Sequence, residues 1–280
     1  VTWRLRVIHT TGFAYDAPVT SSFNEARLTP RSDGRQNVIH NRVETTPATR
    51  AYRYTDYWGT TVTSFDLHAP HTALSVTGSS VVETEAVAVP TDGVGWDTLA
   101  DENIRDQYGE YLTGTDYVPV SDRFDEIARQ LRRDSSPADA VVAASNWVHE
   151  NMSYVPGATG VRTSALEAWE ERRGVCQDYA HLTRMLLRAM GIPSRYVSGY
   201  LHPHREAELG ESVSGESHAW VQAWTGSWWG YDPTNAVPVG EQHVSVAVGR
   251  DYADVPPLKG IYSGGGSTDF DVVVEIIRLA

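Results

Sequence analysis

The chain predicts an α+β fold, an N-terminal antiparallel β domain followed by helices packed on an antiparallel sheet. Three observations carry this. Period-two alternation of apolar residues dominates residues 1–88, helix caps cluster between Ser121 and Gly191, and strand-like runs resume after Ser194. Helices followed by strands, without strict alternation, exclude a repeated βαβ architecture. The composition sets the expected division: a β-rich region over 1–88, an acidic linker over 89–120 and an α+β domain over 121–280.

The N-terminal region opens with Trp3-Arg4-Leu5-Arg6-Val7, apolar on one face and Arg on the other. Similar runs follow at Val38–Val43, Arg50–Tyr54, Thr60–Leu67 and Ala73–Glu83. Turn signals at Ser32-Asp33-Gly34, Trp58-Gly59 and Pro70 separate them, which suits an antiparallel sandwich or meander. The stretch 89–120 is Gly/Asp-rich, with a short helix near Glu102–Tyr111.

Helices begin at Ser121, which caps a run to about Arg133. Ser136-Pro137-Ala138-Asp139 supplies a cap, a proline at the first helical position and an acid in the first turn of a helix to about Asn151. Ser164-Ala165-Leu166-Glu167 is a capping box. A further helix spans Val175–Met190, with Gly191 as its left-handed cap and Pro193 preventing continuation. Strands follow at Arg195–Leu201, Ser217–Trp224, Trp228–Asp232, Val244–Val248 and Val272–Leu279. The segment His202–Glu216 reads as a loop able to cover a cleft, and Ser263–Ser267 as a flexible loop without phosphate-loop chemistry.

Composition narrows the function. With 280 residues, 41% hydrophobic and 21% charged, the chain can bury a sizeable core. No stretch approaches the ~20 apolar residues of a membrane span. VTWRLRVIHTTG carries charges where a secretion signal needs an apolar run, so a cytoplasmic location is expected. The net charge of −13, from 23 basic and 36 acidic residues, argues against nucleic acid and anionic membranes as partners. One cysteine excludes an internal disulfide framework and any multi-thiolate metal site.

That cysteine, Cys176, lies in GVCQDYAHL at the start of the Val175–Met190 helix. Unpaired N–H groups and the positive end of the dipole favour thiolate there. Sites of this kind bring a cysteine pKa from about 8.5 to ~3.5–7.5. Gly174 lets the chain turn into the helix, and Arg172 and Arg173 are placed to add to the field. His218 lies in the period-two run SHAWVQAW, and Asp232 ends WWGYD. A nucleophilic cysteine needs a base within reach and a third group to orient it. An odd hairpin loop places His218 and Asp232 on one face. A three-residue loop Trp224-Thr225-Gly226 would pair Ala223 with Ser227 and set His218 opposite Asp232, with His218 Nδ1 on the carboxylate. Tyr154 is a candidate hydroxyl donor to an oxyanion. Each residue also has a plain structural reading: a small core cysteine, a strand histidine, a turn aspartate and a packing aromatic.

The order Cys, His, Asp, with GVCQDYAHL, SHAWVQAW and WWGYDPTN around them, resembles the transglutaminase-like superfamily of papain-type folds. The resemblance is closer to bacterial members with a β-rich N-terminal region and a tail like HVSVAVGRDYADVPPLKG, here His243–Gly260. It implies Cys176 as nucleophile, His218 as general base and acid, Asp232 as orienting carboxylate and an aromatic or amide donor at the oxyanion, for which Tyr154 is the choice. It also implies a peptide or protein substrate and acyl transfer through a thioester; no cofactor and no metal are expected, since no calcium site of the animal-enzyme type is apparent. Lys259 is the sole lysine, so self-crosslinking is not expected as a main activity. Three readings stand at this point: a cysteine acyltransferase or hydrolase, a catalytically silent binding or assembly module on the same fold, and, well behind them, a metal hydrolase built on the scattered histidines.

Overall fold

The computed structural model describes residues 2–280. The N-terminal strands are β1 (Thr2–Val19), β2 (Ser21–Ala26), β3 (Gln36–Thr46), β4 (Ala51–Thr55), β5 (Thr61–Leu67) and β6 (His71–Glu85). Helices α1 (Trp96–Ala100), α2 (Glu102–Gln107), α3 (Gly109–Leu112), α4 (Asp122–Arg132) and α5 (Pro137–Asn151) follow. Next come β7 (Ser153–Tyr154), α6 (Ala165–Glu171), β8 (Arg173–Gly174) and α7 (Cys176–Met190). The chain closes with β9 (Ser194–Leu201), β10 (Ser212–Trp224), β11 (Trp228–Asp232), β12 (Val237–Pro238), β13 (His243–Gly249), β14 (Leu258–Ser263) and β15 (Ser267–Arg278).

Two of the three expected serine caps act through their side chains, while Ser121 stands at the N-cap position of α4 without a side-chain bond. Ser136 accepts the Asp139 N–H, and Ser164 and Glu167 form a reciprocal capping box. Gly191 takes φ +79° at the end of α7, a conformation that costs a side-chain-bearing residue roughly 1–2 kcal/mol. Helix α7 is buried nearly all round, which marks it as the central helix of the core. Leu182, Met185, Leu186 and Leu187 are fully buried on it, each worth about 1.5–3 kcal/mol of transfer free energy. Two buried polar residues fix its setting. Arg184 donates from Nε to the Ser194 carbonyl at 2.9 Å and from Nη2 to the Tyr111 carbonyl at 3.2 Å. His181 accepts the Tyr252 N–H at 3.2 Å.

A nine-stranded, antiparallel sheet runs β12-β11-β10-β15-β1-β6-β3, with β9 on β10 and β13 on β9. A second sheet has the order β14-β2-β5-β4. The sheets run across the expected division at residue 120. Strands β14 and β15 leave the C-terminal part and pair with β2 and β1, and β15 buries Val274 and Ile276 in the shared core. One core joins Trp3, Leu5, Val7 and Val82 to Leu182, Leu186 and Tyr196.

The stretch 89–120 is more than a linker. It folds into α1–α3, buries Leu99 and Val118 in the same core, and ties Trp96 Nε1 to the Ser135 carbonyl at 2.7 Å. The expected loop His202–Glu216 is shorter too, since β10 begins at Ser212 and pairs with β15 through Gly215. Among the described residues no helix is long and apolar enough to cross a membrane.

Candidate active site

Cys176 is the first residue of α7, half-buried, with a free thiol. The turn before it is held by Asp178, whose Oδ2 accepts the Val175 N–H at 2.8 Å and the Thr159 hydroxyl at 2.6 Å. The Val175 carbonyl in turn accepts the Asp178 and Tyr179 N–H groups. Gly174 is needed for a reason the sequence does not show: a Cβ there would meet Asp178 Oδ2 at 2.5 Å. Close approach of a buried carboxylate, not a left-handed turn, requires glycine. Arg172 and Arg173 are engaged away from the thiol. Arg172 lies over the Trp169 ring at 3.2 Å, and Arg173 pairs with Glu171 at 2.7 Å.

Tyr154 reaches this end of α7 through a short parallel pair. Strand β7 lies on β8 with Tyr154 level with Gly174, and the Val155 N–H donates to the Gly174 carbonyl at 2.9 Å. Tyr154 is 45% exposed. Its pKa is pushed up to about 12, first by burial and then by the charges of Cys176 and Glu216, so the hydroxyl keeps its proton at neutral pH.

The hairpin β10–β11 closes through Thr225-Gly226-Ser227, pairing Trp224 with Trp228. The loop is odd in length, as expected, and Gly226 takes φ +108°. It sits one residue later than the sequence reading placed it. By this register Asp232 is level with Trp220, and His218 lies diagonally across. Same-face parity survives the shift, and the diagonal neighbour is within reach.

His218 Nε2 donates to Asp232 Oδ2 at 2.8 Å. The sequence reading had assigned Nδ1 to this bond. With Nε2 engaged, Nδ1 is the nitrogen left free to serve Cys176, whose side chain contributes to the upward shift of the imidazole. Burial disfavours the His218 cation, but the charge and hydrogen bond of Asp232, aided by Cys176, outweigh it and raise the pKa to about 10. Asp232 is fully buried. Burial opposes its charge as well, yet the His218 cation and the bonds from both neighbouring histidines hold the carboxyl well below the usual range.

The second of those histidines, His243, was missed from the sequence. Its Nδ1 accepts the Gly240 N–H at 3.2 Å, so Nε2 carries the proton and donates to Asp232 Oδ2, also at 3.2 Å. Asn235 Nδ2 adds a third donor to that oxygen at 2.7 Å, while Oδ1 accepts the Thr234 and Asn235 N–H groups. The N-terminal region braces this corner. Arg35 donates to the His243 carbonyl, Gln36 exchanges bonds with the Ser245 backbone, and Thr84 donates to the Glu241 carbonyl at 2.5 Å. A signal did exist. The strand HVSVAVG is buried at every position, and a histidine on such a strand needs a partner.

His218, Asp232 and His243 form the one cluster among the described residues whose ligand atoms, all within 4.8 Å of one another, suit a metal. Those atoms already serve one another: two ring N–H groups and an amide converge on a single carboxylate oxygen. The arrangement is a pair of imidazoles hydrogen-bonded to one buried carboxylate, with Cys176 near enough to His218 to help raise its pKa.

The family model of the transglutaminase-like superfamily matches residues 125–233, and that of the bacterial transglutaminase-like N-terminal region matches 5–83. An uncharacterized protein of Mycobacterium leprae is 59% identical over 278 residues, spanning 99% of this chain and 100% of the relative. A protein-glutamine gamma-glutamyltransferase of Pseudomonas aeruginosa is 35% identical over 150 residues, 48% of this chain and 22% of the relative. The solved structure of a candidate cysteine protease from Cytophaga hutchinsonii has a TM-score of 0.74 at 23% identity, covering 100% of this chain and 93% of that one. That likeness is one of fold.

Proposed function

The chain belongs to the transglutaminase-like superfamily, and from that premise we propose cysteine-dependent acyl transfer or hydrolysis at peptide or glutaminyl amide bonds. One observation carries the proposal: a thiol at the N-terminus of a buried helix meets an imidazole whose far nitrogen is bound to a buried carboxylate. The Cys176 thiolate attacks the amide carbonyl, forming the C–S bond of a tetrahedral intermediate. The first-turn N–H groups of α7 and the Tyr154 hydroxyl face the developing oxyanion. Collapse breaks the C–N bond, and His218 delivers its proton to the leaving amine, leaving a thioester. His218 then takes a proton from water or an acceptor amine as the thioester is cleaved and the thiolate restored. Asp232 keeps the imidazole oriented and its cation stabilised.

The test is to incubate the protein with a peptide library and a labelled primary amine, and to read products by mass spectrometry. Amine incorporation, deamidation and new N-termini separate transfer from the two hydrolytic outcomes. Any of these products, absent with Cys176→Ala, is the expected result. Products that persist in that variant refute the mechanism, and no product with any peptide favours a silent binding module.

A further inference from the structure

Strand β10 changes partners beside the site. It pairs with β15 from Ser212 to Gly215 and with β11 from Val221, and between these stretches β9 is its one partner. A cavity of about 220 Å³ opens at this gap, with Ser217 of β10 in its lining. Its floor comes from β1: His9 and Thr11 are buried and joined by a 2.9 Å hydrogen bond, and the other ring nitrogen of His9 meets the Tyr200 hydroxyl, also at 2.9 Å. Its wall is one face of β15, with Val272 opposite Thr11 and Phe270 opposite Phe13.

Two lips tie the cavity to the reacting groups. Ser217 is the residue before His218. The Val161 carbonyl accepts Gln177 Nε2 at 3.4 Å, and Gln177 follows Cys176.

The chemistry of the lining is selective. Asp269, Asp271 and Glu275 alternate with Phe270, Val272 and Val274 along β15, which sends the carboxylates to the opposite face. No Asp, Glu, Lys or Arg lines the cavity. Burial lowers the His9 pKa to about 4, so its ring is neutral at pH 7. Yet Val161, Phe270 and Val272 stay 59%, 58% and 40% exposed, an apolar surface left open beside the site. The volume falls below the roughly 300–1,000 Å³ of pockets that enclose drug-sized ligands, and suits one side chain.

We propose that this cavity is a specificity subsite, taking a single uncharged apolar side chain of a peptide substrate next to the residue whose carbonyl Cys176 attacks. This rests on the acyl-transfer reading above and gives the N-terminal β region a share in substrate choice. A charged side chain would lose its hydration there without gaining a partner.

The test uses the Cys176→Ala protein, titrated calorimetrically with capped pentapeptides that carry glutamine and differ beside it as Leu, Phe, Lys or Asp. Leu and Phe peptides are expected to bind about tenfold or more tighter than Lys and Asp peptides, the span that apolar pockets give. Adding Val272→Asp on the wall, or Val161→Asp on the facing loop, should each abolish the preference, and agreement between the two guards against a local misfolding effect. Equal affinities for the four peptides, no binding, or a preference that survives both substitutions would overturn the subsite. The acyl-transfer reading is separated by alkylating wild-type Cys176 with iodoacetamide. A thiol no more reactive than a free one, alongside an intact apolar preference, refutes that reading and leaves a peptide-binding pocket.

Discussion

His218 and His243 donate to the same oxygen, Oδ2 of Asp232, at 2.8 and 3.2 Å. The first bond lies on the path to the thiol and the second does not. His243 therefore acts on the site through Asp232, sharing its negative charge and fixing its rotamer.

Replacing His243 by Ala removes one donor from a buried carboxylate, at a cost of roughly 1–3 kcal/mol in stability. It also changes how firmly Asp232 holds the His218 proton. We expect kcat to fall by about tenfold with KM little changed, and the alkaline limb of the pH profile to move. His243→Gln, which keeps a donor, should recover part of the loss. An unmoved pH profile in His243→Ala would reduce the residue to a packing role.

Cys176 should be alkylated at pH 6 on the order of tenfold faster than a free thiol if the His218 imidazole assists the attacking sulfur. His218→Ala should bring the rate down towards that of free cysteine. Rates that match in the two proteins would mean that the imidazole does not activate the thiol.

Tyr154→Phe removes a hydroxyl that stays protonated up to about pH 12. If that group faces the oxyanion, kcat should drop by about 10²–10³ while KM holds. An unchanged kcat would leave the backbone N–H groups of α7 as the oxyanion donors.

The His218–Asp232 pair also sets a pH dependence of stability. The His218 pKa is raised from 6.5 to about 10 on folding, so its contribution is complete below pH 6.5 and is lost as pH rises through 10. The Asp232 pKa is depressed, so its contribution is present above the ordinary carboxylate range and is lost in acid. Urea unfolding at pH 6 and pH 10 should differ by a few kcal/mol in the wild type and by much less in His218→Ala. Equal losses in both proteins would assign the alkaline sensitivity to other groups.

Gly174→Ala places a Cβ 2.5 Å from Asp178 Oδ2 and forces that carboxylate off the Val175 N–H. Overpacking of this kind costs about 1–3 kcal/mol. Thermal unfolding should shift down, and alkylation of Cys176 should slow because the first turn of α7 moves with it. Full stability in this variant would show that Asp178 has another place to go.

What could be read from sequence was local. Ser136, Ser164 and Gly191 act within a few residues of themselves, so their caps were legible, as was the parity of the Gly226 hairpin. The register needed the loop conformation, and it settled one residue away. His243 escaped because its partner belongs to another strand, and the need for Gly174 escaped because it depends on a carboxylate folding back from the helix. The least legible feature was the return of β14 and β15 to β2 and β1. Strands that meet from opposite ends of the sequence leave no mark within either one. The sharing of sheets across residue 120 was illegible for that reason.

The pairing of β1 with β15 also bears on the order of events in the living chain. Leu5 lies opposite Arg278, so β1 gains this neighbour only after β2 to β14 have been made. Pairings of such long range close slowly, and they leave unpaired edges on display in the interim. Residues of β1 and β15 together form the floor and wall of the proposed subsite. On the proposed mechanism, Cys176 and His218 can thus meet before the surface that would choose their substrate exists, and selectivity would follow reactivity as the chain matures.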